Sequence, residues 1–519
     1  MSLTGRTGLG RRILTQMRAS TWAWTLWLTL AACAPEAADP SGQPCSIDMD
    51  CGQLVCRADL DRVPEDLEEW PLSCGAAGSG SESGRVCERG QDCSSGLCLL
   101  AGVCVSPCTE DSDCEPTQRC TALYARSSPN TLATVRGCVA RIDLPDDVSI
   151  ESNVRVSALV HGVQRVELEP TTSEVTTLYV LEHLDDTTWP VPDAQSRCRP
   201  PLCAQRLMSG ASDASVLFDV AKLPQDGPIN PVAVGDYVNP LSVLLPNGPR
   251  LQPENAGYTL EVEAKHAGDL RITRVTRSKR GQRLDLNCYY VGAQDLSAAQ
   301  ELGSSRLREA LDEVDSIFMA ADIFIGDVRQ VDVYGALLER GSPLPAAEVS
   351  RGFARLRSQY QVLPQLPELF KLSAGAANPA LDVFFVADIE ASGGDVGGIA
   401  GGTPVPWGMH GSPGSGVVIA ADMFLAAADP VKLGRTLAHE IGHALGLFHP
   451  TEIDGDVFDP LPDTASCALQ HDVNGDGLLD ARECDGFGAD NLMFPTSDAT
   501  GTQLTPDQID VIQRAFLLQ

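Results

Sequence analysis

The stretch Thr436–Pro450 reads TLAHEIGHALGLFHP and contains three of the eight histidines of a 519-residue chain. Two of them, His439 and His443, are four residues apart, so they share one face if the segment is helical. Their imidazoles can then reach a single ion at the zinc–nitrogen distance of about 2 Å. Glu440 is rotated by about 100° from His439 around the helix axis. This rotation places the Glu440 carboxylate beside the ion, where it can hold a water molecule and act as general base.

His449 can become a third ligand only if the helix ends before it. In a continued helix, the six residues after His443 would turn His449 to the wrong side of the axis. Gly446 resolves this difficulty, because glycine adopts the left-handed conformation that ends a helix and lets the chain turn back. Three protein ligands leave a fourth position for water, which is typical of a catalytic rather than a structural zinc. Buried core histidines are the competing explanation, and they do not account for the spacing of all three.

The residues around this motif alternate between strand-like and helix-like patterns. The segment SSRLREALDEVDSIFMAA (304–321) reads as a helix. Four segments read as strands: LDLNCYYV (284–291), DIFIGDVRQVDVY (322–334), ALDVFFVAD (380–388) and SGVVIAADMF (415–424). Asp429 and Pro430 are suited to the cap and the first position of the histidine-bearing helix. Strands alternating with helices predict an α/β domain over residues 284–519.

The motif HEIGHALGLFH (439–449) matches the zinc motif of the metzincin metalloproteases, and the chain resembles that clan in two further features. Met493, within ADNLMFPT, lies where metzincins have a methionine turn beneath the zinc site. The segment TPDQIDVIQRAFLL (505–518) resembles their closing helix, with Thr505 as cap and Gln508 completing a capping box. The methionine turn is similar to that of the matrixins, whereas the long insertion before it is similar to that of the pappalysins. The subfamily therefore stays open.

The resemblance covers residues 284–519 and implies an endopeptidase that hydrolyses peptide bonds within proteins. It implies the three histidines of the motif as zinc ligands and Glu440 as the general base. It also implies that the strand directly before the histidine-bearing helix edges the cleft and pairs with extended substrate. His410 lies in the loop upstream of that strand and is interpreted as a loop residue rather than a ligand.

The segment DVNGDGLLDARE (472–483) fits the twelve-residue EF-hand calcium loop at every position. Side-chain oxygens are expected at positions 1, 3, 5, 9 and 12 and a main-chain carbonyl at position 7, from Asp472, Asn474, Asp476, Asp480, Glu483 and Leu478 respectively. Gly477 provides the sharp turn at position 6. Helical flanks are not evident, so the loop is interpreted as a structural calcium site rather than a sensor. A solvated acidic turn is the alternative. Cys467 and Cys484 bracket the loop and are expected to form a disulfide.

The chain has eighteen cysteines, and twelve of them lie between Cys45 and Cys138. Three segments share a C-x5-C-x4/5-C spacing: CSIDMDCGQLVC (45–56), CERGQDCSSGLC (87–98) and CTEDSDCEPTQRC (108–120). Regions so rich in Gly, Ser and Asp bury little apolar surface, so disulfides must supply the stability. The repeats resemble the Dickkopf-like cysteine-rich repeats of exported bacterial proteins. Zinc is the competing use of clustered cysteines, but no histidine lies among them.

The other cysteines leave one residue without a partner. Cys198 and Cys203 are expected to pair, and Cys288 is expected to be a buried free thiol because its strand is apolar. The alternative is a latency switch. The segment SRCRPPLC (196–203) loosely resembles the matrixin pro-segment, in which a cysteine thiolate caps the zinc.

Residues 1–32 have the features of an export signal, with arginines followed by the apolar run ASTWAWTLWLTLAA and small residues at its end. The sequence Leu30-Ala-Ala-Cys33 resembles the bacterial lipobox, in which the cysteine is lipidated and becomes the mature N-terminus. Ala34 after this cysteine favours the outer membrane in a bacterium with two membranes. An ordinary signal peptide is the alternative.

Residues 141–283 are expected to form an antiparallel β-sandwich. Apolar and polar residues alternate in NVRVSALVHGVQRVELE (153–169), VTTLYVLEHL (175–184) and GYTLEVEAKHAGDLRITRVTR (257–277), with Gly, Pro and Asp between these runs. The formal net charge of −32 disfavours binding to nucleic acid or anionic lipid and suits divalent cations.

The sequence therefore predicts an exported, multidomain protein with five parts: a signal peptide (1–32), a lipidated linker (33–44), disulfide-rich repeats (45–140), an all-β sandwich (141–283) and an α/β (α+β) metzincin-like domain (284–519). The expected function is that of a metalloendopeptidase of the cell envelope that acts on protein or peptide substrates. Its expected cofactors are Zn²⁺ and Ca²⁺, and no nucleic-acid partner is expected. One alternative is a catalytically silent surface adhesion or binding lipoprotein stabilised by calcium, and another is a purely structural envelope protein. The intact ligands and Glu440 argue against the first alternative, and the open fourth zinc position argues against the second.

Overall fold

The structure is a computed structural model that describes residues 43–46, 51, 54–58, 71–77, 85, 87, 90–99, 103–115, 118–128, 131–140, 147–159, 162–168, 176–183, 202–210, 215–219, 221, 240–251, 257–264, 267–291, 305–333, 355–357, 366–376, 378–391, 394–421, 424, 429–496 and 501–519. The predicted signal peptide 1–32 and the cysteines Cys33 and Cys198 lie outside the described residues. Within the described ranges, no helix is long and apolar enough to cross a membrane.

Disulfides hold the cysteine-rich region together, as predicted. Its described strands form two antiparallel pairs, β1 (Val55–Ala58) with β2 (Leu72–Gly75) and β3 (Gln118–Ser128) with β4 (Thr131–Ala140). In each repeat the first cysteine pairs with the third and the second pairs with the next one along the chain: Cys45–Cys56 and Cys51–Cys74, Cys87–Cys98 and Cys93–Cys104, Cys108–Cys120 and Cys114–Cys138. Some of these sulfur atoms are close enough to surround an ion. A disulfide sulfur is not a thiolate ligand, however, and zinc is therefore not their use.

The middle region is an antiparallel sandwich, as the alternating pattern predicts. Its described strands are β5 (Val148–Leu159), β6 (Gly162–Leu168), β7 (Thr176–His183), β8 (Leu202–Ser209), β9 (Val216–Asp219), β10 (Leu241–Leu245), β11 (Tyr258–Ala264) and β12 (Gly268–Arg277). They pair into two sheets in the orders β10-β7-β12-β5 and β6-β11-β8-β9. Tyr179 and Leu181 of the first sheet share one buried cluster with Leu207 and Leu260 of the second, so the sheets pack face to face.

Strands β7 and β10 do not keep the alternation of exposed and buried residues. All five residues of β10 are buried. The reason is that the second face of this sheet packs on the C-terminal region, where Leu178, Val180 and Leu244 join one buried cluster with Leu445 and Phe516. Strands covered on both faces are apolar at successive positions.

The C-terminal region is built on a mostly parallel sheet. Its described strands are β13 (Arg283–Val291), β14 (Phe324–Asp332), β15 (Arg355–Arg357), β16 (Leu381–Val386), β17 (Asp388–Ala391), β18 (Gly394–Asp395), β19 (Gly398–Ala400) and β20 (Gly416–Ala420). Five of them form a sheet in the order β14-β13-β16-β20-β19, in which only β19 runs antiparallel to its neighbour. Strands β15, β17 and β18 form a separate sheet.

The edge of the main sheet differs from the expectation. The strand directly before the histidine-bearing helix is β20, and it lies inside the sheet between β16 and β19. Because the chain reverses within residues 401–415, the preceding segment Gly398–Ala400 folds back on β20 and becomes the edge. The prediction of β20 as the edge strand is therefore wrong, and β19 takes that position.

Helices lie on both faces of this sheet. The described α-helices are α1 (Ser305–Phe318), α2 (Leu366–Phe370), α3 (Pro430–Ala444) and α4 (Pro506–Ile512). Cys288 of β13 lies in the cluster between the sheet and α1, α3 and α4, whereas Tyr289 and Phe384 lie on the opposite face with Phe370 of α2. Cys288 is a free, fully buried thiol, as predicted, and burial raises its pKa to about 12.

Candidate metal centre

Helix α3 begins at the residues that the sequence predicts. Asp429 Oδ1 accepts a hydrogen bond of 2.9 Å from the Lys432 N–H, and Pro430 is the first helical residue. The first half of α3 packs closely on α1, because a Cβ at Gly434 would lie only 2.4 Å from the carbonyl oxygen of Ala310. The helix that bears the histidines is therefore fixed against the rest of the C-terminal region.

The turn that follows helix α3 contains the predicted glycine. Gly446 has a φ of 108°, in the left-handed region that favours glycine. The Leu447 N–H donates to the carbonyl oxygen of Gly442 at 2.9 Å and closes the turn. The chain then returns toward α3 and presents His449.

The three imidazoles of the motif come together. His449 Nε2 lies 3.0 Å from His443 Nε2 and 3.2 Å from His439 Nε2. One ligand atom from each ring lies within 4.8 Å of the other two. Tetrahedral zinc with Zn–N bonds of 2.0–2.1 Å separates its nitrogen ligands by about 3.3 Å. The observed separations therefore match the ligand shell of one ion.

The opposite nitrogen of each ring has an acceptor of its own. His439 Nδ1 donates to Leu492 O (2.9 Å), His443 Nδ1 to Leu447 O (2.8 Å) and His449 Nδ1 to Glu452 Oε2 (3.0 Å). Carbonyl and carboxylate oxygens only accept, so each ring carries a proton on Nδ1. Burial lowers the pKa of His439 to about 3 and that of His443 well below its ordinary value, which keeps both rings neutral. The Nε2 lone pairs therefore face one another, an unfavourable arrangement that a cation between them would relieve.

Glu440 lies against the edge strand β19. Its side chain is buried, and its carboxylate accepts a hydrogen bond from the Ala400 N–H. A Cβ at Gly398 would lie 2.6 Å from Glu440 Cγ, so the glycine is what allows this contact. Burial raises the pKa of Glu440 to about 8, and the Ala400 bond opposes this rise. The position of this carboxylate on α3, directly after His439, suits it to general acid–base chemistry.

Met493 lies directly beneath α3. It is fully buried, and a Cβ at Gly442 would lie 2.4 Å from Met493 Sδ. The Met493 N–H donates to Asn491 Oδ1 at 2.9 Å, and the Asn491 and Gln508 amides exchange two hydrogen bonds of 2.8 and 3.1 Å. The residue before Met493 supplies the carbonyl that accepts from His439. The methionine turn thus orients one of the three histidines.

Helix α4 begins with the predicted capping box. Thr505 Oγ1 accepts from the Gln508 N–H at 3.2 Å, and Gln508 Oε1 accepts from the Thr505 N–H at 3.0 Å. The Asp463 carboxylate also accepts from Thr505 Oγ1 and from the Asp507 N–H, both at 2.9 Å. These hydrogen bonds therefore connect the segment between His449 and Met493 to α4, the helix that supports the methionine turn.

The acidic loop 472–483 is closed by the predicted Cys467–Cys484 disulfide. Gly477 has a φ of 82°, which gives the turn expected at position 6. The side chains at positions 1, 3, 5 and 9 accept hydrogen bonds from main-chain N–H groups of the loop itself: Asp472 from Gly475 and Gly477, Asn474 from Asp476, Asp476 from Leu478, and Asp480 from Arg482 and Glu483. These bonds hold the loop in a defined conformation.

The carboxylate at position 12 departs from the expected geometry. Glu483 accepts hydrogen bonds from three N–H groups, those of Val473, Asn474 and Asp480, and both of its oxygens are used. No three carboxylates of this fully described loop have oxygens within 4.8 Å of one another. The donor set has the hard oxygen ligands that Ca²⁺ prefers, but Glu483 already uses lone pairs on both of its oxygens, so bidentate binding competes with these hydrogen bonds.

His410 is buried, and the hydrogen bonds of its ring are not to any of the three histidines of the motif. His410 Nδ1 lies 2.6 Å from Asp382 Oδ2, and His410 Nε2 lies 2.8 Å from Asn378 O. Arg119 of β3 donates to the main-chain carbonyl of His410 at 2.8 Å. This agrees with the interpretation of His410 as a loop residue, although sequence reasoning missed its partners. Asp382 and Asn378 are distant in sequence, and no local pattern indicates them.

The latency switch has no support at Cys203, because this cysteine is disulfide-bonded. It lies on β8 of the sandwich, and a disulfide sulfur offers no thiolate to a metal. Cys198, its predicted partner, lies outside the described residues.

No protein-family model matches this chain, and no curated protein sequence is significantly similar to it. The functional conclusion therefore depends on the chemistry of the site itself.

Proposed function

We propose that the chain is a zinc-dependent metalloendopeptidase. The observation that carries the proposal is the convergence of three Nε2 lone pairs, each fixed by an acceptor on the opposite nitrogen of its ring. Three neutral imidazoles without a thiolate are the donor set of catalytic rather than structural zinc. A Zn²⁺ ion held by His439, His443 and His449 would supply Lewis acidity, which lowers the pKa of a coordinated water to about 7.

Glu440 is the general base in this proposal. It follows His439 directly on α3, and the Ala400 N–H orients its carboxylate. Glu440 removes a proton from the attacking water and returns it to the departing amine nitrogen of the peptide bond. Because Gly398 has no side chain, the carboxylate stays pressed against β19 rather than turning to solvent.

The edge strand β19 supports a polypeptide substrate. It is the last strand in its sheet and lies beside Glu440. An extended peptide that adds to this edge would be bound through its main chain, which brings a peptide bond to the histidines without demanding one side-chain sequence.

The location is proposed from the N-terminal half of the chain. The disulfides indicate an exported, non-cytoplasmic protein. We further propose that Cys33 is lipidated and anchors the protein to the cell envelope, at the outer membrane, and that loop 472–483 is a structural calcium site. Metabolic labelling with a fatty acid tests the anchor, and a chain that stays unlabelled would refute it.

The proposed activity is tested on the purified full-length chain by elemental analysis and casein hydrolysis. About one zinc per chain is expected, together with hydrolysis that a chelator abolishes and added zinc restores. A chain that holds stoichiometric zinc but cleaves no protein substrate would instead favour a silent adhesion or binding protein.

A further inference from the structure

The three candidate zinc ligands are not supported in the same way. His439 and His443 donate their Nδ1 protons to main-chain carbonyls, of Leu492 and Leu447 respectively. His449 alone donates to a side chain, the carboxylate of Glu452, at 3.0 Å. We infer that Glu452 is a positioning residue that orients His449 and strengthens its binding to the metal. This inference rests on the proposed zinc site.

His449 needs such a partner because of its place in the chain. His439 and His443 project from α3, whose main chain is fixed by helical hydrogen bonds and by packing on α1. His449 follows the turn at Gly446 and belongs to no helix or strand. The orientation of its ring therefore depends on the acceptor at Nδ1 more than that of the other two rings.

Glu452 is itself held rigidly enough for this role. Its N–H donates to Val457 O at 2.8 Å, and its carbonyl accepts from the Gly455 N–H at 2.8 Å. Thr451 and Phe458 pair across the base of the same turn. Gly455 has a φ of 68°, and a Cβ there would lie 2.5 Å from the Leu469 nitrogen. Hydrogen bonds within the turn and packing against Leu469 thus fix its conformation. This conformation places the Glu452 carboxylate next to Nδ1 of His449.

A carboxylate behind a metal-bound imidazole acts in two ways. It fixes the tautomer, so that the Nε2 lone pair is available, and it makes that nitrogen a stronger donor to the ion. Since the other two acceptors are neutral carbonyls, Glu452 also brings the one negative charge among the three Nδ1 partners. Removal of such partners typically weakens metal binding about 10–100-fold.

The test measures zinc affinity by competition with a chromophoric chelator in the full-length chain. Glu452→Ala should weaken zinc binding about 10–100-fold. Glu452→Gln, whose amide oxygen can still accept from Nδ1 but carries no charge, should restore part of that loss. Asp456→Ala is the matched control, because Asp456 is exposed in the same turn and its removal deletes the same charge. This control should bind zinc like the wild type.

The outcomes separate this inference from the proposed function. Wild-type protein that does not bind zinc would overturn both. If the wild type binds zinc and Glu452→Ala binds it equally well, the positioning role is refuted while the proposed function stands. Equal losses in Glu452→Ala and Asp456→Ala would also refute it, because the effect would then come from net charge. The melting temperature of the zinc-free forms shows whether each variant folds.

Discussion

Two parts of the chain match metal-binding motifs at every ligand position: the three histidines on and after α3, and the acidic loop 472–483. The donor atoms of these two sites differ in the hydrogen bonds that they make in the folded chain. At the histidines, main-chain carbonyls and Glu452 engage the outer nitrogens, so the inner nitrogens are left to face one another at 3.0 and 3.2 Å. In the acidic loop, the carboxylates accept hydrogen bonds from the loop's own N–H groups, and Glu483 uses both oxygens in this way.

A complete ligand pattern does not by itself preorganise a site. The histidine site is preorganised by residues from α3, the turn after it and the methionine turn, and these are fixed by packing. The acidic loop organises itself through local hydrogen bonds that an ion must partly replace. We therefore expect the histidine site to function as a rigid centre and loop 472–483 to exchange some of its hydrogen bonds when calcium binds.

The first prediction separates catalysis from metal binding at the histidine site, and its expected effect is the largest. Glu440→Gln keeps the size of the side chain and can still accept a hydrogen bond from the Ala400 N–H, but it cannot accept a proton from water. Hydrolysis should fall about 10²–10⁴-fold while zinc stays bound, since general acid–base assistance is typically of that size. Steady-state kinetics and elemental analysis on the same preparation measure the two effects.

Two further variants act as controls for this prediction. His443→Ala removes a ligand and should lose zinc and activity together. His471→Ala changes a histidine outside the centre, whose ring contacts Phe487, and should lose neither. A Glu440→Gln protein that cleaves as fast as the wild type would refute this mechanism whatever its zinc content.

The second prediction concerns loop 472–483, whose carboxylates accept hydrogen bonds from the loop's own N–H groups. Calcium at 100 times its dissociation constant should stabilise the fold by about 2.7 kcal/mol, because the ion binds the folded loop and not the unfolded chain. The double variant Asp476→Ala with Glu483→Ala should lose this response. Thermal unfolding with and without calcium, measured on zinc-saturated protein, gives the shift.

Asp485→Asn is the matched control for calcium, because Asp485 is exposed and lies just outside the loop. It should keep the full response. A calcium-dependent shift that survives in the double variant would place the ion elsewhere and leave loop 472–483 as a solvated acidic turn.

The sequence predicts those features of the two sites that depend on neighbours within a few residues. Residue types and their local spacing predicted the helix start at Asp429, the turn at Gly446 and the turn at Gly477, all of which the structure contains. The partners that orient the histidines were not predictable in this way. Leu492 lies 53 residues from His439, and only the folded chain brings the two together.

Long-range packing also explains two features of the strands that the sequence does not predict. The alternating pattern predicts the sandwich, but it does not indicate that the C-terminal region covers the second face of β7 and β10. The edge position was assigned to β20 because it precedes α3, but the chain reversal over 401–415 places β19 outside it. Neither event leaves a local pattern, because each depends on residues that are far away along the chain.

The last prediction has the smallest expected effect, on the pH dependence of stability. It concerns a third polar cluster, formed by His410, Asp382 and Asn378, which needs no ion. His410 Nδ1 lies beside the Asp382 carboxylate and Nε2 beside the Asn378 carbonyl, and the ring can donate to both acceptors only as an imidazolium. Burial lowers the pKa of His410, but the charge and hydrogen bond of Asp382, together with the hydrogen bond to Asn378, outweigh burial, so the net pKa lies above the ordinary value. Arg119, whose guanidinium bonds the His410 carbonyl, opposes this rise.

A raised pKa in the folded state fixes the sign of the pH dependence. The stabilisation is fully present below the pKa of an unfolded histidine, about 6.5, and is lost as the pH rises through the higher folded value. Melting temperatures of zinc-saturated wild type should therefore fall more steeply above pH 6.5 than those of His410→Asn. The slopes of melting temperature against pH are compared, rather than the absolute values, because the exchange can also destabilise the protein equally at every pH. The control is His471→Asn, which changes a histidine outside this cluster and should keep the wild-type slope. Parallel curves for wild type and His410→Asn would mean that His410 is not charged in the folded protein over this pH range.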